Sequence, residues 1–402
     1  MESTRIDRIH AISERRLAAT PCVFRRFLAN LIDWTPRLVS IVGPRGVGKT
    51  TLLLQRMKEL STSAAPLYLS LDNIWLSDRE AYEVSEHHVT HGGTHLFLDE
   101  VHFLQGWQTL LKNIHDDFPR LSLAYTGSSL LRIDAAAGDL SRRQATYRLP
   151  PLSFREYLDF AGLARFDPVP LPDLLAHHVS IARAVLDRLG VVLPHFETYL
   201  RHGAYPFFRD AGPAFPDMLL AAANQVLDSD WPKIDAVEPQ TIRHARRMLA
   251  VLAASVPQTP NVTALCRALG VDRKQGLNIL HALGRAGLLS LLPSGKPKLK
   301  TLATPDKIYC GDPNLMHALV PRPDPGTLRE TFFLSQLAAA GHSLSAPPRG
   351  DFLVDSRYLF EVGGPSKSFK QIADTPDSYL ALDDLETGRA NRIPLWLFGF
   401  LY

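Results

Sequence analysis

Cysteine is scarce in this sequence. There are three among 402 residues, Cys22, Cys266 and Cys310, far apart and without C-x-x-C spacing. That excludes a disulfide framework, offers no zinc-ligand pattern and fits a reducing, cytoplasmic compartment. Charge of one sign is equally scarce. Forty-four Lys and Arg against 41 Asp and Glu leave a formal net charge of +3, too little to attract nucleic acid by bulk charge, so any basic patch must be local. No apolar run approaches the ~20 residues of a membrane-spanning helix. The charged start, Met1-Glu-Ser-Thr-Arg-Ile-Asp-Arg8, has no apolar core of signal-peptide length. Export and membrane insertion are therefore not expected, and neither internal repeats nor low-complexity tracts are evident.

What is present is ordinary globular material, 46% hydrophobic and 21% charged, and enough of it for more than one core. At roughly 100–200 residues per domain the length predicts two to four domains. Residues 1–35 read as helical, and Arg37-Leu-Val-Ser-Ile-Val42 is a partly β-branched run that ends in a glycine loop. Thr94-His-Leu-Phe-Leu98 and Leu121-Ser-Leu-Ala-Tyr125 read as further strands, alternating with helical stretches such as 107–118. Strands alternating with helices predict a parallel sheet flanked by helices, so 1–150 is assigned to one α/β domain. Apolar spacing becomes helical over 151–235, interrupted by loops such as Pro168-Val-Pro-Leu-Pro172. A helix-turn-helix pattern occupies 236–310. The last part, 311–402, ends in Leu395-Trp-Leu-Phe-Gly-Phe-Leu401, which reads as a strand.

The strongest chemical signal is Gly43-Pro-Arg-Gly-Val-Gly48-Lys49-Thr50, which matches GxxxxGK[ST] between a strand and a helix. Glycines let the backbone fold round a polyphosphate with its N–H groups inward, and the helix N-terminus adds favourable partial charge. Gly43, Arg45, Gly46, Gly48, Lys49, Thr50 and Thr51 are the nucleotide-binding candidates. Lys49 is expected to meet the β- and γ-phosphates, and Thr50 to offer its hydroxyl to Mg²⁺. Leu96-Phe-Leu98-Asp99-Glu100 supplies the acidic strand end such a loop needs: Asp99 for Mg²⁺, Glu100 to orient or deprotonate the attacking water. Thr126 or Ser128, at the end of the next strand, is a candidate sensor of the γ-phosphate.

These motifs, with Phe97-Leu-Asp-Glu-Val-His102, Thr126-Gly-Ser-Ser129, and Arg143 followed by Leu149-Pro-Pro-Leu-Ser-Phe-Arg-Glu-Tyr157, span about the first 160 residues. In combination they resemble the prokaryotic AAA-type ATPases that carry a C-terminal domain of unknown function. The resemblance implies ATP as the nucleotide, since no base-reading motif separates ATP from GTP. It also implies an arginine finger acting in cis or from a neighbouring subunit of a homo-oligomer, nominating Arg143, with Arg142 second.

In the third segment Asn261 is placed to cap 262–269, Gly270-Val271 to turn, and Asp272 to cap a second helix reaching about Arg285. Lys274, Asn278, His281 and Arg285 share a polar face of that helix, while Leu277, Leu280 and Leu283 face inward. Residues 288–292, Pro293-Ser-Gly295 and Lys296-Pro-Lys298-Leu-Lys300 read as two strands with a basic-flanked turn, completing a winged helix. Such a module either presents a helix to double-stranded DNA or binds protein. In the fourth segment Glu330, Asp351 and Glu361 are ordered as in the PD-(D/E)xK nuclease-like fold, which the resemblance extends to C-terminal domains of this family. The lysine two residues after the glutamate is replaced by Gly363, so Lys367 or Lys370 would have to serve, and a degenerate, inactive site is expected rather than metal-dependent hydrolysis. His87, His88, His91 and His95 are read as a surface loop rather than a metal site.

The expected fold is therefore an α/β P-loop NTPase sheet, a helical segment, a winged helix and a small nuclease-like α/β domain. The expected function is Mg²⁺-dependent ATP hydrolysis to ADP and phosphate, coupled to DNA. The alternative is a nucleotide-dependent protein-interaction switch.

Overall fold

A computed structural model of the protein describes residues 3–60, 64–73, 76–129, 140, 142–255, 261–293, 304–372 and 375–402. The chain forms two compact units, Met1–Pro150 with Gln225–Val237, and Pro151–Asn224 with Glu238–Tyr402.

In the first unit the order is α1 (Ser3–Ala19), β1 (Leu38–Gly43), α2 (Lys49–Leu60), β2 (Pro66–Ser70), α3 (Asp78–Thr90), β3 (His95–Asp99), α4 (Trp107–Asp117), β4 (Ser122–Ser128) and β5 (Gln144–Arg148). All strand pairs are parallel, in the order β2-β3-β4-β1-β5. Every residue of β1 is buried, as in a central strand with elements on both faces, and this is why its sequence is a continuous apolar run rather than an alternating one. Register places Gly43 beside Ser128, and Leu98 beside Tyr125, so β1, β3 and β4 end together at one edge. In open parallel sheets ligands bind at that carboxyl edge.

Chain continuity alone would not predict one feature of this unit. The segment Gln225–Val237 contributes to it through a π-helical turn, Val226–Asp230, and a short helix, Trp231–Ile234, whose Ile234 packs on the sheet's apolar core.

The second unit comprises α5 (Phe154–Phe160), α6 (Leu171–Leu189), α7 (Leu193–His202), α8 (Phe208–Ala211), the helix α9 (Phe215–Gln225) that leads out of it, and, beyond the Trp231–Ile234 helix (α10), α11 (Pro239–Ala253), α12 (Val262–Leu269) and α13 (Arg273–Arg285). The caps read from sequence form: Asn261 Oδ1 accepts from the Ala264 N–H at 2.9 Å, and Asp272 Oδ1 from the Gln275 N–H at 2.8 Å. Gly270 takes the left-handed turn (φ 71°), and Leu277, Leu280 and Leu283 are buried. An antiparallel ribbon follows, β6 (Leu289–Leu292) with β7 (Lys307–Cys310). Its second strand thus lies later than the expected 296–300, and Lys296, Lys298 and Lys300 fall outside the described residues.

The chain ends with α14 (Pro313–Leu319), α15 (Pro325–Ala339), β8 (Leu344–Ser345), β9 (Phe352–Val354), β10 (Tyr358–Gly363), β11 (Ser378–Leu382) and β12 (Arg392–Pro394). They form a mixed sheet, β12-β11-β10-β9-β8, on which α15 packs through Phe333, 4.9 Å from Phe360 and 5.3 Å from Phe352 between ring centroids. The expected strand at 395–401 is instead a fully buried 3₁₀ helix, Leu395–Phe400. A run buried on every side shows no alternation, so its hydrophobicity could not distinguish strand from helix.

Candidate nucleotide-binding site

The loop after β1 is built by glycines where the backbone demands them. Gly46 and Gly48 have φ of 83° and 97°, the region favoured by glycine. Gly43 is required for a different reason: a Cβ there would stand 2.3 Å from the Leu149 carbonyl oxygen. Gly43→Ala is thus expected to destabilise the first unit by about 1–3 kcal/mol, read as a lower urea midpoint. From outside the motif, buried Arg26 donates to the Val47 carbonyl at 2.6 Å and to that of Pro150 at 2.7 Å, bracing the loop. Nothing near Arg26 in sequence announces this, because its partners are remote.

Lys49 opens α2 and is only 5% exposed, with its ammonium donating to the carbonyls of Gly43 and Pro44 at 3.1 Å each. Those acceptors are neutral, so the loop keeps a positive charge that suits a polyphosphate. Beside it the Thr50 hydroxyl donates to Asp99 Oδ2 at 2.8 Å. A hydroxyl and a carboxylate this close form the hard-oxygen pair that fits Mg²⁺. Arg45 reaches Asp230 at 3.3 Å, and Thr51 is exposed on the first turn of α2.

Asp99 is held from two further directions. Tyr68 donates to Oδ2 at 2.8 Å and Thr126 to Oδ1. Burial, then the Asp99 charge, push the Tyr68 phenol far above its ordinary value, so it remains a donor. Thr126 is 0% exposed and also accepts the Glu100 N–H at 3.0 Å. It supports both acidic residues from beneath. Sequence reading missed Tyr68, which lies in the middle of the neighbouring strand β2 with no local signal of its partner.

Glu100 sits at φ 55°, ψ 48°, a left-handed conformation that costs a non-glycine residue about 1–2 kcal/mol. Strain of this kind is characteristically retained at working sites. Its carboxylate lies 3.4 Å from Nδ1 of His102.

The structure does not bring Arg143 to this edge within its own chain. Gln144 pairs beside Leu38 and Arg148 beside Val42, so Arg143 stands at the opposite end of the sheet, where its Nε meets Asp116 Oδ1 at 3.3 Å. The strand between spans roughly 16 Å at ~3.3 Å per residue. Arg142 is exposed.

In the second unit the three carboxylates nominated from sequence do meet, but lysines stand among them. Lys367 Nζ is 2.8 Å from Glu361 and 3.6 Å from Asp351, and Lys307 Nζ is 3.7 Å from Asp351 and 3.9 Å from Glu330. Tyr309 donates to Glu330 at 2.7 Å. Burial, then the Asp351 charge, push Glu330 up to about 7. No group of three or more His, Cys, Asp or Glu arranged to hold a metal occurs among the described residues.

The expected histidine loop is only partly one. His87 and His88 lie on α3, and His95 begins β3. His88 is buried with Nε2 3.1 Å from the His95 carbonyl, an apolar-face position that the spacing of four histidines concealed.

Residues 35–158 match the family model described as an AAA domain, and residues 193–325 match a domain of unknown function. No curated protein matches the chain. Among solved structures, C. elegans PCH-2 is 12% identical, with a TM-score of 0.27 over 70% of this chain and 66% of that one, so less than two thirds of PCH-2 is spanned. AMPPCP-bound DnaA from Aquifex aeolicus is 13% identical, with a TM-score of 0.26 over 68% of this chain and 84% of that one. At such scores nothing is transferred from either. No helix among the described residues is long and apolar enough to cross a membrane. The parallel sheet and the glycine loop at its carboxyl edge give the first unit a P-loop NTPase α/β fold, and residues 35–158 of it match an AAA domain.

Proposed function

We propose that the protein binds ATP with Mg²⁺ and hydrolyses it to ADP and phosphate. The observation that carries this reading is the convergence of Lys49, Thr50, Asp99 and Glu100 at the carboxyl edge of one parallel sheet. Backbone N–H groups of 43–50 and the Lys49 ammonium would hold the phosphates, and Thr50 and Asp99 would hold Mg²⁺. The metal would supply neutralising charge on the β- and γ-phosphates. Glu100 would take a proton from the water that attacks the γ-phosphorus as the bond to the β,γ-bridging oxygen breaks and ADP leaves. Arg143, far from the loop of its own chain, would serve only from a neighbouring subunit. Mg²⁺-dependent phosphate release, with Lys49→Ala as the blank, tests the assignment: equal release from both would end it.

For the output we propose coupling to double-stranded DNA through a winged helix formed by 236–310, followed by a nuclease-like part, 311–402, that does not cleave. Exposed Lys274 and Asn278 would face the groove. DNA binding with a steep salt dependence that flattens in a Lys296, Lys298 and Lys300 triple alanine variant is the expected result. One observation favours the alternative, a nucleotide-dependent switch that engages protein. His281 and Arg285, on the same face, are half-buried and line an open groove of about 450 Å³ together with Leu334, Ala338 and His342. DNA-independent turnover together with DNA binding insensitive to those lysines would decide for it.

A further inference from the structure

The segment Gln225–Val237 belongs to the first unit and carries a carboxylate into its nucleotide site. Trp231 is buried, and Lys233 Nζ stands 3.3 Å over the Phe103 ring, so the segment is anchored directly after its turn. Asp230, 3% exposed, accepts from Nη1 of Arg45 at 3.3 Å and sets the same Oδ1 3.4 Å from Nε2 of His102, as a neighbouring charge that accepts no hydrogen bond from that ring. His102, 1% exposed, follows Glu100 by two residues. Its Nδ1 accepts the Ser128 N–H at 3.4 Å and lies 3.4 Å from Glu100 Oε2.

A neutral imidazole has one N–H and one lone pair. The Ser128 amide can only donate, so the lone pair belongs on Nδ1 and the proton on Nε2, facing Asp230. In that tautomer His102 offers Glu100 no hydrogen bond, and the carboxylate stays free for water. With the proton on Nδ1, the Ser128 N–H would face another N–H, and Glu100 would gain a donor that holds it and quenches its basicity.

We propose that Asp230 is a positioning residue for ATP hydrolysis, its charge favouring the Nε2–H tautomer of His102 so that the imidazole does not capture Glu100. This rests on the ATPase reading above. The group acts through His102 and does not touch the reacting atoms. Its analogue in metal and triad sites is the carboxylate that fixes which histidine nitrogen carries the proton.

The test uses full-length protein labelled with ¹⁵N-histidine, in which long-range ¹H–¹⁵N correlations report each ring's tautomer and His102→Gln identifies the His102 signals. The wild type is expected to show Nε2–H at His102, and Asp230→Ala a shift toward Nδ1–H. Turnover in Asp230→Ala should fall roughly tenfold or more, mainly in kcat, and Asp230→Asn, which keeps the shape but loses the charge, should fall as far. In a His102→Phe background, adding Asp230→Ala should cost little, because the route through the imidazole is already gone. An Nδ1–H signal in the wild type overturns the proposal, as does a turnover loss of the same size with and without His102. Absence of any turnover above Lys49→Ala would sink the ATPase reading alone, while the spectra would still decide the His102 tautomer.

Discussion

Glu100→Gln is expected to lower Mg²⁺-dependent ATP turnover by ~10²–10⁴-fold, the usual contribution of a positioned general base. ATP affinity should stay close to that of the wild type, because the groups that hold the phosphates, Lys49 and the loop amides, are untouched. Glutamine keeps the shape and loses the basicity. The backbone at this position adds a second expectation. Glu100 has φ 55°, so Glu100→Gly should raise folding stability by about 1–2 kcal/mol while abolishing turnover. A gain in stability paired with a loss of activity would mark the strain as retained for function. Turnover surviving in Glu100→Gln would remove the assignment, and an unchanged or lower melting temperature in Glu100→Gly would remove the claim of strain.

Lys367→Met is expected to destabilise the second unit by about 3–5 kcal/mol, because it leaves the Glu361 carboxylate, 1% exposed, without its countercharge. Burial works against the Lys367 ammonium, but the Glu361 carboxylate 2.8 Å away and the charges of Asp351 and Glu330 outweigh it, and it is held above its ordinary value. Removing both partners in a Lys367→Met, Glu361→Met double variant should recover most of the loss, since an apolar pair needs no compensation. Chemical denaturation of the three proteins measures this; equal losses in the single and double variants would contradict it. Glu330 sets a pH dependence in the same cluster. Raised from 4.5 to about 7, it keeps a proton in the folded state that the unfolded chain has already released. Its contribution is therefore fully present below the unfolded value and lost as pH rises through about 7. Glu330→Gln should flatten the decline in stability between those limits. Lys367, one of the two lysines that would have to stand in for the one replaced by Gly363, does reach Glu361 and Asp351, and Lys307 joins the same cluster.

Much of the nucleotide site was legible in sequence because its chemistry is local. Eight residues, 43–50, contain the glycines with positive φ, the lysine and the threonine, and Asp99-Glu100 ends an unmistakable apolar strand. The caps at Asn261 and Asp272 were legible for the same reason, since a side chain and the N–H it caps are three residues apart. Glu330, Asp351 and Glu361 were legible as a set through the order of helix and strands.

What depended on distance in sequence was not legible. Arg26, Tyr68 and Asp230 reach the site across long stretches of chain, and no pattern near any of them records the partner. Arg143 was nominated by resemblance as a finger in cis or from a neighbouring subunit, and only strand register shows that it lies far from the phosphate loop of its own chain. Residues 395–401 were as apolar as a strand and became a 3₁₀ helix, because a run buried on every side has no periodicity to declare. Sequence by itself thus determined the elements whose signals lie within a turn or a loop: the phosphate loop, the acidic strand end and the helix caps. Only tertiary structure decided which remote side chains brace them, which end of the sheet each residue occupies, and which acids meet which lysines. Those outcomes follow from parallel register and packing, which couple residues that the chain keeps far apart.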